Sequence, residues 1–187
     1  DVGLLLKTYR LDFSENEKRK IYADIKDWKG GRNTPPVYLF DELMSRDNIF
    51  RLHATGDCFV LPHRGEGWGV TQVEALLMGN PVISTNLGGM HEWMDDRTMV
   101  LLNDFTLTNV KNMDFVPWYT SDQMWAEPSL TELRQKIRWV YNNRDKAKEI
   151  AERGRAKVIE EFSFKSVGQQ MYDRLIDIWS NEIPASY

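Results

Sequence analysis

The 187-residue chain has one cysteine and three histidines, too few for a disulfide framework or a multi-cysteine metal site. It has no apolar run near the roughly 20 residues that span a bilayer, and no signal-peptide pattern at its start. Lys and Arg total 24 and Asp and Glu total 28, so the net charge of −4 does not favour binding to nucleic acid. These absences favour a cytosolic protein without a nucleic-acid partner.

The length and the hydrophobic content of 42% are those of one soluble domain, here over residues 1–187, with a sizeable core. Cys58 lies in an apolar run, so we expect a buried structural thiol rather than a nucleophile. A buried-strand pattern opens the chain immediately at residues 2–9. We therefore expect a fragment of a longer protein.

Short apolar runs alternate with helical patterns along the first hundred residues. This alternation predicts an α/β fold, with a Rossmann-like parallel sheet of about five strands and helices on both of its faces. The predicted strands are residues 2–9, 37–40, 58–61, 82–85 and 99–102. The predicted helices between them are residues 14–28, 45–55 and 71–78.

The pattern changes after the fifth predicted strand. Residues 103–128 are rich in aromatic side chains and have no clear period, so they are predicted to form a long insertion. Within this insertion, we expect residues 118–128 to form a packed flap, with a contact to a partner or acceptor as the alternative. A helical tail follows, with helices from Ser129, over residues 145–161 and from Ser163. In the last helix, Val167, Met171, Leu175 and Trp179 are expected to face inward.

The stretch between the predicted strand 58–61 and the helix 71–78 is the most informative. It contains three glycines, and the carboxylates Glu66 and Glu74 lie eight positions apart. A glycine-rich turn from a strand into a helix presents backbone N–H groups at the positive end of the helix dipole, which suits a phosphate or diphosphate. Carboxylates repel phosphate but accept hydrogen bonds from sugar hydroxyls. The stretch therefore predicts a site for a nucleotide that carries a sugar.

Residues 62–92 resemble the retaining GT-B glycosyltransferases of family 4. The matching residues are Pro62, Glu66-Gly67-x-Gly69, Glu74-Ala75, Gly79-Asn-Pro-Val-Ile-Ser-Thr and Gly88-Gly89-x-x-Glu92. Glu66-x7-Glu74 is the signature pair of that family, and a looser resemblance extends over about residues 2–179. The resemblance implies the C-terminal, donor-binding half of a GT-B fold, begun one strand and one helix late.

The resemblance also implies an activity. The full enzyme would be of the hexosyltransferase type and would move a sugar from a nucleoside-diphosphate donor to an acceptor hydroxyl, with retention and without a metal or other cofactor. It would be cytosolic or peripheral at a membrane. The acceptor-binding N-terminal half and the Arg and Lys that neutralise the diphosphate are not found here, so we expect this chain to bind donor without turnover. The helix over residues 163–180 would cross back to that missing half, which would leave its apolar face partly bare.

Residue by residue, the resemblance assigns the catalytic role to Glu66, which would contact hydroxyls of the transferred sugar. The residues implied to hold the sugar and diphosphate are Gly67, Trp68, Gly69 and Val70 through their N–H groups, with Thr71 at the helix start. Glu74 would accept hydrogen bonds from the ribose. Leu39 and Phe40 would line the base pocket.

Simpler interpretations exist for several of these residues. The alternative for Glu66 is a solvated charge in a loop. The alternative for Glu74 is an acid in the first part of a helix, where the helix dipole stabilises it by about 0.3–1 kcal/mol. Trp68 fits a core or lid position as well as a ligand contact. Arg64 fits a solvent-exposed arginine better than a replacement for the diphosphate cations. His63 receives no role as a general base.

A second class of function is also compatible with the sequence, namely a non-catalytic module that binds nucleotides or a partner. An aromatic insertion and an exposed last helix would serve such a module. The nature of the upstream sequence distinguishes the two, because a Rossmann-like half with the Arg and Lys pair favours the enzyme.

Overall fold

The computed structural model describes residues 2–8, 13–113 and 116–182. These residues form two compact units, Asp1–Leu52 and His53–Tyr187, and each is described by itself. Across the described ranges, every helix is too short or too polar to cross a membrane. The prediction of one domain over residues 1–187 stays a prediction.

The first unit contains two of the predicted strands. Strands β1 (Leu4–Lys7) and β2 (Val37–Phe40) pair in parallel, with Leu4 opposite Val37. Helix α1 (Glu15–Lys29) connects them, and α2 (Arg46–Thr55) follows. The Ser14 hydroxyl accepts a hydrogen bond from the Glu17 N–H, and Gly30 ends α1 in the left-handed conformation. Tyr9, the end of the first predicted strand, lies outside the described residues.

The second unit contains the other three predicted strands. Strands β3 (Phe59–Leu61), β4 (Val82–Thr85) and β5 (Val100–Leu102) form a parallel sheet in that order, with α3 (Val70–Leu77) between β3 and β4. All four residues of the central strand β4 are buried, as expected for a parallel strand that is covered on both faces. Two further helices, α4 (Leu130–Asn142) and α5 (Arg144–Phe162), pack around this sheet.

Alternating strand residues of this sheet contribute to two separate core clusters. Val82 and Leu101 pack with residues of α3, whereas Ile83 and Leu102 pack with Val140 of α4. Helix α5 contributes to both clusters. Helices therefore cover both faces of this sheet, and the predicted α/β class is confirmed. The five predicted strands form two parallel sheets, of two and three strands, instead of one sheet of about five.

The segment over residues 103–128 contains two antiparallel strands, called the hairpin below, which the sequence did not predict. Strands β6 (Phe105–Asn109) and β7 (Met124–Pro128) pair with Leu107 opposite Ala126. The hairpin continues into α4 through two hydrogen bonds with Asp104, whose carbonyl accepts from Ser129 N and whose N–H donates to the Glu132 carboxylate. Cross-strand pairing joins residues that are far apart in the chain, so the absence of a local period did not exclude it.

The tail ends in helix α6 (Phe164–Asp177), followed by a π-helical turn, Ile178–Glu182. The Ser163 hydroxyl caps α6 by accepting from Ser166 N at 3.2 Å. Met171 and Leu175 are each 62% exposed, and Val167 and Trp179 are exposed as well. The prediction that this stripe faces inward is therefore wrong, whereas the expectation of a bare apolar face is confirmed.

Candidate functional site

The loop over residues 62–69 connects β3 to α3 and holds the predicted site. Four of its backbone carbonyl oxygens accept hydrogen bonds from donors elsewhere in the second unit. The pairs are His63 O with Thr85 Oγ1 at 2.8 Å, Arg64 O with Ala126 N at 2.9 Å, Glu66 O with Gly89 N at 3.3 Å and Trp68 O with Trp93 Nε1 at 3.1 Å. These donors fix the loop to β4, to β7 and to the segment after β4.

Several N–H groups at the end of this loop and at the start of α3 are left open. Within the described part of the chain, the N–H groups of Gly67, Trp68 and Val70 have no protein acceptor. A Cβ placed on Gly67 would meet nothing within 4 Å, so the space beside it is unfilled. Helix α3 starts directly after Gly69, which has φ +89° and offers no side-chain cap. The loop therefore presents backbone donors at the positive end of the α3 dipole.

Glu66 already contacts this array. Its carboxylate accepts a hydrogen bond from the Gly69 N–H at 3.2 Å, and the residue is half-buried. The carboxylate thus lies at the start of α3, where the helix dipole favours negative charge. A diphosphate bound at the same place has to share or replace this contact. Glu66 and the predicted N–H donors are therefore brought together by the structure.

The glycine pair Gly88-Gly89 packs directly on this loop. A Cβ on Gly88 would lie 2.2 Å from the Glu66 carbonyl oxygen, and Gly88 has φ +106°. A Cβ on Gly89 would lie 2.1 Å from the Gly67 carbonyl oxygen. Only glycine allows this approach. Two parts of the sequence motif that are about twenty residues apart therefore meet in space.

The Trp68 side chain packs against protein rather than standing free. Its ring centroid lies 5.3 Å from that of Trp93 and 5.4 Å from that of Phe162, and these two rings are 5.6 Å apart. Trp68 is nonetheless 40% exposed. The Trp68 ring therefore occupies a packing position, as one of the two interpretations predicted, while the Trp68 backbone N–H remains open. Phe162, at the end of α5, had no local sequence signal that connected it with the site.

The other residues that were predicted to bind the nucleotide sugar lie on two elements. Thr71 is in the first turn of α3, where its hydroxyl donates to Gln72 Oε1 at 2.8 Å. Glu74 lies one turn further along α3 and is half-buried. Leu39 and Phe40 end strand β2 in the first unit and are half-buried. The ribose role of Glu74 and the base pocket at Leu39 and Phe40 stay predictions.

Arg64 is paired, and its partners lie in the hairpin. Its guanidinium donates to both carboxylate oxygens of Glu127, at 2.8 and 3.1 Å, and lies 4.6 Å from the ring centroid of Trp125. Arg64 is solvent-exposed, as the sequence favoured, but its guanidinium is paired and is not an uncommitted cation. This contact could not be predicted from sequence, because the partners of Arg64 lie more than sixty positions away.

His63 is buried beside Glu66. Among the described residues neither of its ring nitrogens has a hydrogen-bond partner of normal geometry. Burial lowers the pKa of His63 below its usual 6.5, while the Glu66 carboxylate and the Thr85 backbone act in the opposite direction. The imidazole is therefore neutral at pH 7.

Cys58 does not behave as a nucleophile. Burial, with a smaller contribution from Asp57, raises the pKa of its thiol to about 12. The thiol is therefore protonated at neutral pH, as expected for a structural cysteine, although Cys58 is half-buried rather than fully buried. In the described ranges, no three His, Cys, Asp or Glu side chains are grouped as metal ligands.

Comparison with known proteins identifies the class. Residues 17–112, just over half of the chain, match the family described as glycosyl transferases group 1. The chain belongs to this family. No curated protein matches the sequence significantly.

Solved structures share the fold. The chain is similar to Anabaena HepE in complex with UDP-glucose (TM-score 0.60, 21% identity, 91% of this chain and 40% of that one). It is also similar to a glycosyltransferase from Rickettsia africae (TM-score 0.59, 21% identity, 97% and 41%) and to sucrose-phosphate synthase from Thermosynechococcus elongatus (TM-score 0.65, 17% identity, 95% and 38%). The chain thus spans about two-fifths of the length of these proteins, and the predicted fold of one GT-B half is confirmed.

Proposed function

We propose that the chain is the donor-binding half of a retaining, family 4 glycosyltransferase, which moves a hexose from a nucleoside-diphosphate sugar to an acceptor hydroxyl. The observation that carries the proposal is the loop 62–69, four of whose carbonyls are bonded to the protein, while the N–H groups of Gly67 and Trp68 in the loop and of Val70 at the start of α3 stay open. Membership of the glycosyl transferases group 1 supports it. HepE, which has the same fold, was crystallised with UDP-glucose.

The open N–H groups bind the diphosphate. As the bond from the sugar to the diphosphate breaks, negative charge grows on the departing oxygen. Backbone donors that are already oriented stabilise this charge without reorganising. The α3 dipole adds to the effect. The acceptor hydroxyl attacks from the face that the diphosphate leaves, which retains the anomeric configuration, and its proton passes to the departing diphosphate oxygen.

Two carboxylates orient the donor. Glu66 lies at the N–H array and accepts hydrogen bonds from hydroxyls of the transferred sugar. Glu74, one turn along α3, accepts from the ribose hydroxyls, and Leu39 and Phe40 line the base pocket. Such positioning lowers the entropic cost of reaching the reactive geometry. No metal takes part. The acceptor-binding half lies upstream of this chain in a cytosolic enzyme, so the chain alone binds donor but does not turn it over.

Calorimetric titration with GDP, UDP, ADP and their sugar conjugates tests the proposal. We expect one nucleotide series to bind. We expect Glu74→Ala to weaken binding of the nucleotide and of its sugar conjugate by about tenfold, and Glu66→Ala to weaken binding of the sugar conjugate by about tenfold, as for the loss of a hydrogen bond to a ligand. Glu149→Ala, which removes an exposed acid from α5, is the matched control and should leave the affinity unchanged. If no nucleotide binds at several millimolar, the donor site is refuted. Affinity that survives both glutamate substitutions refutes the residue assignment alone.

One observation favours a second candidate, a non-catalytic partner-binding module. The α6 residues Met171 and Leu175 and the hairpin residue Trp118, which is 72% exposed, present apolar surface. Turnover assays of the longer natural protein separate the candidates. Sugar transfer supports the enzyme, whereas nucleotide binding without transfer supports the module.

A further inference from the structure

The loop over residues 62–69 is called the donor loop below. Its residue Arg64 contacts three consecutive residues of strand β7. The Ala126 N–H donates to the Arg64 carbonyl at 2.9 Å. On either side of Ala126, the Trp125 ring lies 4.6 Å from the Arg64 guanidinium and the Glu127 carboxylate binds it in bidentate fashion. Arg64 is two positions before Glu66. Main chain and side chain of the loop are therefore fixed together, immediately next to the candidate site.

The chemistry of these contacts favours a geometric role over a stabilising one. The Arg64 and Glu127 side chains are 50% and 49% exposed, and ion pairs this exposed add little to the free energy of unfolding. A bidentate fork, however, sets both the distance and the plane of the guanidinium. The Trp125 face restricts it further. The arrangement thus limits the motion of the loop more than it stabilises the fold.

We propose that Arg64 and Glu127 are positioning residues, through which the β6–β7 hairpin holds the donor loop in its binding geometry. The proposal rests on the proposed function, since the geometry matters for the N–H groups of Gly67, Trp68 and Val70. The other carbonyl ties come from β4 and the segment after it, which belong to the sheet region. The hydrogen bond from Ala126 comes from β7, which lies beyond the family match at residues 17–112.

The opposite role of Arg64, direct neutralisation of the diphosphate, makes a different prediction for Glu127. If Arg64 binds the phosphate, removal of Glu127 releases the guanidinium and strengthens nucleotide binding. If Arg64 positions the loop, removal of either partner loosens the loop and weakens binding. The sign of the Glu127→Ala effect therefore distinguishes the two.

The experiment uses the 187-residue chain with Arg64→Ala, Glu127→Ala, the double variant and Arg64→Lys. Hydrogen exchange without nucleotide measures the loop directly. We expect faster exchange of the amides whose hydrogen bonds fix the loop, those of Ala126, Gly89 and Gly69, in both single variants, with an unchanged urea midpoint. In titrations with GDP, UDP and ADP, we expect each single variant to raise Kd about fivefold, the double variant to raise it no further, and Arg64→Lys to restore part of the loss.

The control is Arg174→Ala, which breaks an ion pair of similar exposure on α6 and should change neither measurement. Unchanged loop exchange in both single variants overturns the proposal, as does tighter nucleotide binding in Glu127→Ala. If the unsubstituted chain binds no nucleotide, the proposed function fails, yet the exchange experiment still decides whether Arg64 and Glu127 hold the loop.

Discussion

Gly89 lies against the backbone of Gly67 so closely that a Cβ on Gly89 would sit 2.1 Å from the Gly67 carbonyl oxygen. Real Cβ atoms do not approach a carbonyl oxygen this closely, so any side chain at position 89 has to move one of the two segments. Gly67 carries one of the open N–H groups, and the position of that group therefore depends on a glycine twenty-two positions later in the chain.

Gly89→Ala should accordingly displace the donor loop. We expect the free energy of unfolding to fall by about 2 kcal/mol, as for other substitutions that force backbone to shift. Nucleotide affinity should fall by tenfold or more, about 1.4 kcal/mol. Urea denaturation and calorimetric titration measure the two effects. Gly65→Ala is the control in the same loop, because its Cβ would meet nothing within 4 Å. Equal effects of both substitutions would contradict this account.

The buried imidazole of His63 predicts a dependence of stability on pH. Burial lowers the pKa of His63 in the folded chain below its usual 6.5, so the unfolded chain takes up the proton first. The free energy of unfolding should therefore be constant above about pH 6.5 with respect to this group and fall as the pH drops below that value.

Urea denaturation at about pH 7.5 and about pH 5.5 measures the drop, and His63→Gln should reduce it. Burial also lowers the pKa of His53, so a part of the drop should remain in that variant. The same drop in His63→Gln and in the unsubstituted chain would mean that His63 does not carry the effect.

The thiol of Cys58 should be unreactive in the folded chain. With its pKa raised to about 12, the thiolate fraction near neutral pH is very small. A thiol reagent at about pH 8 should react more than about a hundredfold more slowly than with free cysteine. The same chain in denaturing urea supplies the control and should react at the ordinary rate. Rapid labelling under native conditions would refute the structural role.

The ring cluster of Trp68, Trp93 and Phe162 should hold the loop onto α5. Trp68→Leu removes both ring contacts, and we expect a loss of about 1–2 kcal/mol in the free energy of unfolding. Trp68→Phe keeps an aromatic ring and should lose less than about 1 kcal/mol. Thermal and urea unfolding measure both. If leucine proves as stable as tryptophan, the cluster does not hold the loop.

Features that depend on residues close together in the chain could be predicted from sequence, and features that depend on distant residues could not. The five strands and the helices were predicted closely because apolar period and caps such as Ser14 and Ser163 act within one segment. The loop 62–69 was located from its own glycines and carboxylates. The Arg64–Glu127 pair and the β6–β7 hairpin could not be predicted, because each depends on residues brought together by the rest of the fold.

The inward face assigned to α6 shows another limit. An apolar stripe on a helix indicates that some surface will cover it, but not that the surface belongs to the same unit. Leu175 satisfies the period and is 62% exposed. The apolar period of α6 was predicted correctly, but the burial of the apolar stripe within this chain was not.

Helix α3 begins after Gly69 without the side-chain cap that serines provide to α1, α4 and α6. An uncapped helix of eight residues frays most easily in its first turn. Under the proposed function, the donor itself completes the helix as a removable cap. Binding of the nucleotide and ordering of the first turn of α3 are then coupled in one equilibrium. Saturation with nucleotide should protect residues 65–71 from proteolysis and raise the melting temperature in proportion to the logarithm of the nucleotide concentration.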